Sequence, residues 1–358
     1  MNPETARRFP LVARERPACT PAPERAAGLS RLADQAHRMG DLTLASAVLN
    51  QAALYASDMG RPDLARAWSA QHAQAHLRRC PVADARLPLE PVVNLIRLRI
   101  REGDGIGLLD PLYDAVSRGQ TATVEGVVIP ADLTNDRATA RRWLWTLLLA
   151  DGTRAYTAVS RWDDAHRHLA RHRGIGARML DGRQVTVIAV ALVGDTQGAL
   201  DILEATTPGD ETEAAVTACL TALCRGTDHD LDQLANEYGK LTPTPGLAVF
   251  HTNLGLATLD ALGDHPAAQD IASQLVATTD GYAARAVLAT KYATEDLRNV
   301  VDAGGLGSGL IDSQVHEAVN AAQTIVERGA LRTSRSRSGV HLVGVGLGWR
   351  LRNRDAGW

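Results

Sequence analysis

The sequence predicts an all-α protein assembled from antiparallel helix pairs, and three observations carry that prediction. From Arg25 onward apolar residues recur at helical spacing almost throughout, in stretches of about 12–18 residues. Short breaks containing glycine or aspartate separate these stretches. The breaks also resemble one another: Gly-Asp stands at Gly40-Asp41, Gly103-Asp104, Gly194-Asp195 and Gly263-Asp264, each time between two apolar-periodic segments. A glycine there supplies the left-handed residue that closes one helix, and the aspartate after it caps the next.

Taken in order, residues 1–24 are proline-rich without a helical period and read as a disordered arm. Residues 25–330 carry the helical signal. Within them TATVEGVVIP, from Thr121 to Pro130, is β-branched around Glu125-Gly126 and predicts a small hairpin or an extended loop between helices. Five and nine residues past the first glycine stand Ala45 and Leu49, Ala199 and Leu203, Ala268 and Ala272. Ser160 fits the same template with Ala165 and Leu169, and Gly226 fits it loosely with Leu231 and Ala235. A small residue suits the place where paired helices cross, because a longer side chain would push them apart. The turns at 160, 194, 226 and 263 are spaced by 34, 32 and 37 residues, whereas those at 40, 60 and 103 are irregular and leave the register of residues 25–150 open. Residues 331–358, with six arginines against Asp355, read as a basic, flexible tail.

The net charge is −3, but that tail carries +5, so the preceding 330 residues carry −8. An acidic body is a poor match for nucleic acid, and 4% aromatic residues offer few platforms for stacking bases. Cys19, Cys80, Cys219 and Cys224 are scattered without a CxxC and read as small apolar residues, not a disulfide framework. No apolar segment near the start suits a signal peptide, and the most apolar run, Val185 to Val193, is too short to span a bilayer. A soluble, cytoplasmic protein is expected, with neither membrane nor nucleic acid as a partner.

The stretch RWDDAHRHLARHRGIG places Asp164, His168 and His172 four residues apart, on one helical stripe, and His72 and His76 form a second such pair. A catalytic zinc site needs a third ligand and an open position, which this spacing does not supply. The histidines therefore read as part of a scaffold, and no metal or cofactor is expected. VHEAVN, Val315 to Asn320, approaches a metalloprotease motif but has Asn320 in place of the second ligand. GGLGSG (304–309) and GVGLG (344–348) lack the lysine and the α/β setting of phosphate loops. In MLDGRQ, Asp181, Arg183 and Gln184 precede the most apolar helix and read first as a cap with an arginine partner. If the protein were an enzyme, Arg154, Asp181 and Arg183 would be its catalytic candidates.

LADQAHRMGDLTLASAVLNQAALYA and LLLADGTRAYTAVSRWDDAHRHL resemble tetratricopeptide repeats, whose period of about 34 and small residue in the second helix the later turns reproduce. Over roughly 25–290 the chain is similar to helical-repeat proteins of actinobacteria, akin to the sensor halves of helix-turn-helix regulators, but 24 leading residues cannot hold the DNA-reading module. The resemblance implies a tetratricopeptide-like α-solenoid with a groove lined by the first helix of each pair. It places Asn50, Asn94, Arg97, Arg154, Gln184 and Asn253 toward that groove as peptide-binding residues. A side-chain amide can pair with both the N–H and the C=O of an extended peptide, and arginine can clamp a carboxylate. The expected function is a non-catalytic module that binds a peptide or protein partner in a regulatory or accessory role. Two alternatives stay open: a biosynthetic enzyme on the same scaffold with its site around 154–184, and a peptide or small-molecule sensor acting on a separate transcription regulator.

Overall fold

The structure, a computed structural model, describes residues 1–333 and their side chains as far as Arg328. All seven turn residues named above (Gly40, Gly60, Gly103, Ser160, Gly194, Gly226 and Gly263) adopt positive φ. Six are glycine; Ser160, at φ 62°, alone carries a side chain into the left-handed region.

Helix α1 (Pro3–Ala6) is a single turn, and α2 (Ala22–Met39) and α3 (Leu42–Asp58) follow as a hairpin. Asp41 caps α3 by accepting from the backbone N–H groups of Thr43 and Leu44. Helices α4 (Pro62–Leu77), α5 (Arg86–Arg101) and α6 (Leu109–Arg118) continue the succession. Strands β1 (Ala122–Val124) and β2 (Val127–Ile129) then pair antiparallel, with Val124 opposite Val127. Their turn, Glu125-Gly126, has both residues at positive φ, as a two-residue hairpin requires. The segment Thr121 to Pro130 is thus the hairpin; Val124, Val127 and Ile129 are buried, with β1 packed on α5 and α6 and β2 on α4.

Helix α7 (Arg137–Leu147) passes through a π-helical turn (Leu148–Gly152) into α8 (Thr153–Thr157), and α9 (Trp162–Arg171) folds back after Ser160. Four further pairs complete most of the chain: α10 (Asp181–Leu192) with α11 (Thr196–Glu204), α12 (Glu211–Cys224) with α13 (Asp228–Gly239), α14 (Ala248–Leu262) with α15 (Ala268–Val276), and α16 (Gly281–Leu288) with α17 (Glu295–Ala303). Helix α18 (Ser313–Thr333) is the last element among the described residues. The fold is mostly helical, with one small two-stranded sheet among the described residues.

Between α3 and α17 the helices pack chiefly on their neighbours in sequence. At the expected crossings Ala45, Ala165 and Ala199 are wholly buried, and Leu49, Leu169 and Leu203 are buried beside them. Leu231, Ala235, Ala268 and Ala272 are only partly buried, so the template weakens in the last two pairs to which it was applied. The succession also returns to its start. Helix α18 packs on α2, α3 and α4, and the backbone N–H groups of Gly307 and Gly309 donate to the carbonyls of Asp58 (2.8 Å) and Met59 (2.6 Å). The glycine cluster at 304–309 is therefore part of a packed closure, where Gly60 and Gly307 approach so closely that an added Cβ at Gly60 would lie 3.3 Å from the Gly307 backbone.

One expectation is corrected here. Residues 1–24 do not form a disordered arm: α2 begins at Ala22, and Ala6, Phe9, Leu11 and Cys19 are buried in or against helices far along the chain. Where proline and the lack of a helical period leave backbone groups without local partners, distant groups supply them, as Gln184 does at Leu11, Gly246 at Arg16 and Asp280 at Cys19. Of the basic tail assigned to 331–358, residues 331–333 belong to α18, and residues 334–358 lie outside the described residues. No helix among the described residues is long and apolar enough to cross a membrane.

Candidate functional site

The segment between α1 and α2 touches α10, α14 and the start of α16, the first helices of three pairs. Gln184 on α10, completely buried, meets the segment at Leu11. Its Oε1 accepts from the Leu11 N–H (2.6 Å), and its Nε2 donates to the Leu11 carbonyl (2.7 Å) and to the Met179 carbonyl (3.1 Å). This is the two-point pairing of a side-chain amide with an extended backbone, made within one chain. Further contacts fix the rest of the segment. Thr5 and Arg8 reach Asp260 on α14, Arg14 pairs with Asp181, and the Arg16 N–H donates to the Gly246 carbonyl. Asp280, which caps α16, accepts from the Cys19 N–H (2.8 Å).

Beside this segment the predicted residues Asn50, Asn94 and Arg97 come together. Asn50 Nδ2 donates to Glu90 (3.0 Å), Asn94 Nδ2 donates to Asn50 Oδ1 (3.2 Å), and Arg97 donates to Asn94 Oδ1 (3.3 Å) and to Asp151 (2.9 Å). The result is a continuous polar row across α3, α5 and the π-helical turn. Glu90 and Asp151, which close its two ends, were not singled out from the sequence. Burial raises the pKa of Glu90. Arg154 lies one turn past Asp151, near Arg97, Arg14 and Arg16, and burial lowers the pKa of its guanidinium, opposed in part by Asp151.

The remaining predicted residues divide. Asp181 belongs to this region: it pairs with Arg14 and lies near Arg154 and Asp151, and burial raises its pKa. Its arginine partner is thus Arg14, not the adjacent Arg183. Arg183 instead donates to Thr206 and to the carbonyls of Ile202 and Gly176, which ties the start of α10 to the end of α11. Arg154, Asp181 and Arg183 therefore do not form one catalytic cluster. Asn253 on α14 is partly buried, and no hydrogen bond joins it to the others among the described residues.

The histidine stripe also divides. Asp164 pairs with Arg161 and Arg167. His168 and His172 instead meet Asp110 from the first turn of α6, and a ligand atom from each of the three lies within 4.8 Å of the others. The sequence argument against a metal rested on the lack of a third ligand. That premise fails, because a carboxylate from a remote helix supplies one. In contrast, His72 and His76 on α4 stack in the interior, with His76 bonded to Ser46 (2.9 Å).

Comparison with protein-family models, with curated proteins and with solved structures finds no match to this chain.

Proposed function

We propose that the protein binds an extended peptide from a partner on the face formed by the first helices of its pairs, in the manner of a tetratricopeptide-like array. In this reading residues 5–20 of the chain occupy part of that face, and the partner competes with them. The observation that carries it is the Gln184–Leu11 pairing, a recognition of bare backbone that any extended segment can satisfy irrespective of its side chains. The neighbouring Arg97 and Arg154 suit a carboxylate on the incoming segment. The succession of helix pairs with left-handed turns and buried alanines at their crossings supports the repeat reading.

The test opens the segment without preventing folding. A specific protease site placed at residues 20–21 lets the full chain fold and is then cut. A labelled peptide of residues 1–20 should exchange into the nicked protein and saturate, and Gln184→Ala should bind it roughly 30–150-fold more weakly, the worth of two lost backbone bonds at about 1–1.5 kcal/mol each. If the nicked segment never exchanges, or if its release unfolds the protein, residues 5–20 are permanent core and the reading fails.

A further inference from the structure

We propose that Asp110, His168 and His172 form a binding site for a divalent transition metal, zinc foremost, at the junction of α6 and α9. The site is separate from the peptide face and does not depend on that reading. Two imidazoles and a carboxylate are a donor set suited to zinc, and three protein ligands leave a coordination position open to water or an added ligand.

The arrangement of His168 is what distinguishes this cluster from an ordinary ion pair. Its side chain is 1% exposed, and its Nε2 lies 2.9 Å from the Leu148 carbonyl. A carbonyl only accepts, so Nε2 carries the proton and Nδ1 presents a lone pair. Nδ1 has no hydrogen-bond partner, is buried, and points toward Asp110, with Oδ2 3.8 Å away. An imidazole whose far N–H is anchored on a backbone carbonyl while its near nitrogen is bare is the usual state of a metal-bound histidine. An unpartnered buried nitrogen otherwise carries a desolvation penalty with nothing to offset it.

The surrounding chain holds this ring in place. The π-helical turn brings Gly152 against the imidazole, and an added Cβ there would lie 2.8 Å from Nε2. Such turns recur at functional sites. On the other side His172 Nε2 lies 2.9 Å from Asp110 Oδ1, and the Trp145 indole N–H donates to the His172 carbonyl (3.1 Å). The two carboxylate oxygens thus face one imidazole each. A tetrahedral zinc centre with bonds of about 2.0–2.2 Å needs ligand atoms roughly 3.3 Å apart, a contraction within reach of the Asp110 and His172 torsions. His172 then uses the tautomer protonated on Nδ1. The Arg171 guanidinium, which reaches the same Asp110 oxygen, has a side chain 63% exposed and can swing aside into water.

Untagged full-length protein is treated with chelator, dialysed and titrated with Co2+, followed by visible absorption, then with Zn2+ by calorimetry. One equivalent should bind, Zn2+ should displace Co2+, and Zn2+ should raise the melting temperature. Asp110→Asn and His172→Gln, both at partly exposed positions, should keep the metal-free melt of the wild type and bind at least tenfold more weakly. His229→Gln, an exposed control, should bind as wild type does. The wild type taking up no saturable equivalent would overturn the site, and so would wild-type affinity in both Asp110→Asn and His172→Gln.

Discussion

The hydroxyl of Tyr282 on α16 donates a hydrogen bond to the carboxylate of Asp58 at the end of α3, joining helices 224 residues apart. Arg25 on α2 pairs with the same carboxylate at 3.1 Å, and the Asp58 side chain is only 3% exposed. Tyr282→Phe should therefore destabilise the protein by about 1.5–3 kcal/mol, as a hydrogen bond to a charged group does. Asp58→Ala should cost roughly 3–5 kcal/mol, because it leaves Arg25 without its counter-charge. Denaturant unfolding measures both. Losses within about 0.5 kcal/mol of wild type, the range of an ordinary surface change, would show that this junction contributes nothing to the closure.

Gln184 makes the same kind of link for the N-terminal segment. Replacing it with alanine strips partners from the buried N–H and C=O of Leu11, at roughly 1–3 kcal/mol for each group left unsatisfied. Trypsin should then cut after Arg14 faster in Gln184→Ala than in wild type, before the helices are digested. Equal cleavage rates would show that the segment is held by its apolar side chains alone.

Ser160 should be improvable. It holds φ 62° where the equivalent turn residues are glycine, and its side chain contributes only an exposed bond from Arg7 at 3.2 Å. A left-handed conformation costs a residue with a Cβ about 1–2 kcal/mol. Ser160→Gly should relieve part of that, offset by added freedom of the unfolded chain, for a net gain of about 0.5 kcal/mol in thermal or denaturant unfolding.

Acid should act through α4. His72 and His76 are each 1% exposed; burial pushes the His76 pKa down to about 4 and that of His72 well below the ordinary value of 6.5. Both are neutral when folded, and the unfolded chain binds protons more readily. The stability they confer is complete above about pH 6.5 and is lost as pH falls toward 4, by roughly 3 kcal/mol for His76. Unfolding free energies measured between pH 7 and 4 should fall along that slope, and His76→Gln should flatten it. A slope unchanged by the substitution would assign the acid sensitivity to other groups.

What the sequence disclosed was local. The turn at Gly194-Asp195 could be read because one residue must adopt positive φ and the next must cap a helix, both conditions met within a few positions. Ala165 and Ala199 were legible for the same reason, since helical spacing fixes which residue meets the partner helix. Asn50, Asn94 and Arg97, singled out from the sequence as groove residues, meet in one hydrogen-bonded row, but nothing in the sequence pointed to the carboxylates that close it, Glu90 and Asp151. Illegible features are those made by distant segments. Pro10 and Leu11 show no periodicity, and nothing near them announces Gln184, 173 residues away. Asp110 likewise gives no hint of lying beside His172 until α6 and α9 are folded together.

The return of α18 to α2, α3 and α4 has a consequence for synthesis. The apolar cluster that holds Leu29, Val48 and Trp68 is completed by Val315, Val319 and Val326, which leave the ribosome some 250 residues later. At 5–20 residues per second, that interval is on the order of 10–50 s. During it the first three large helices expose an apolar surface that no nearby part of the chain covers. A nascent chain with this connectivity is open to chaperone capture from its beginning until α18 emerges.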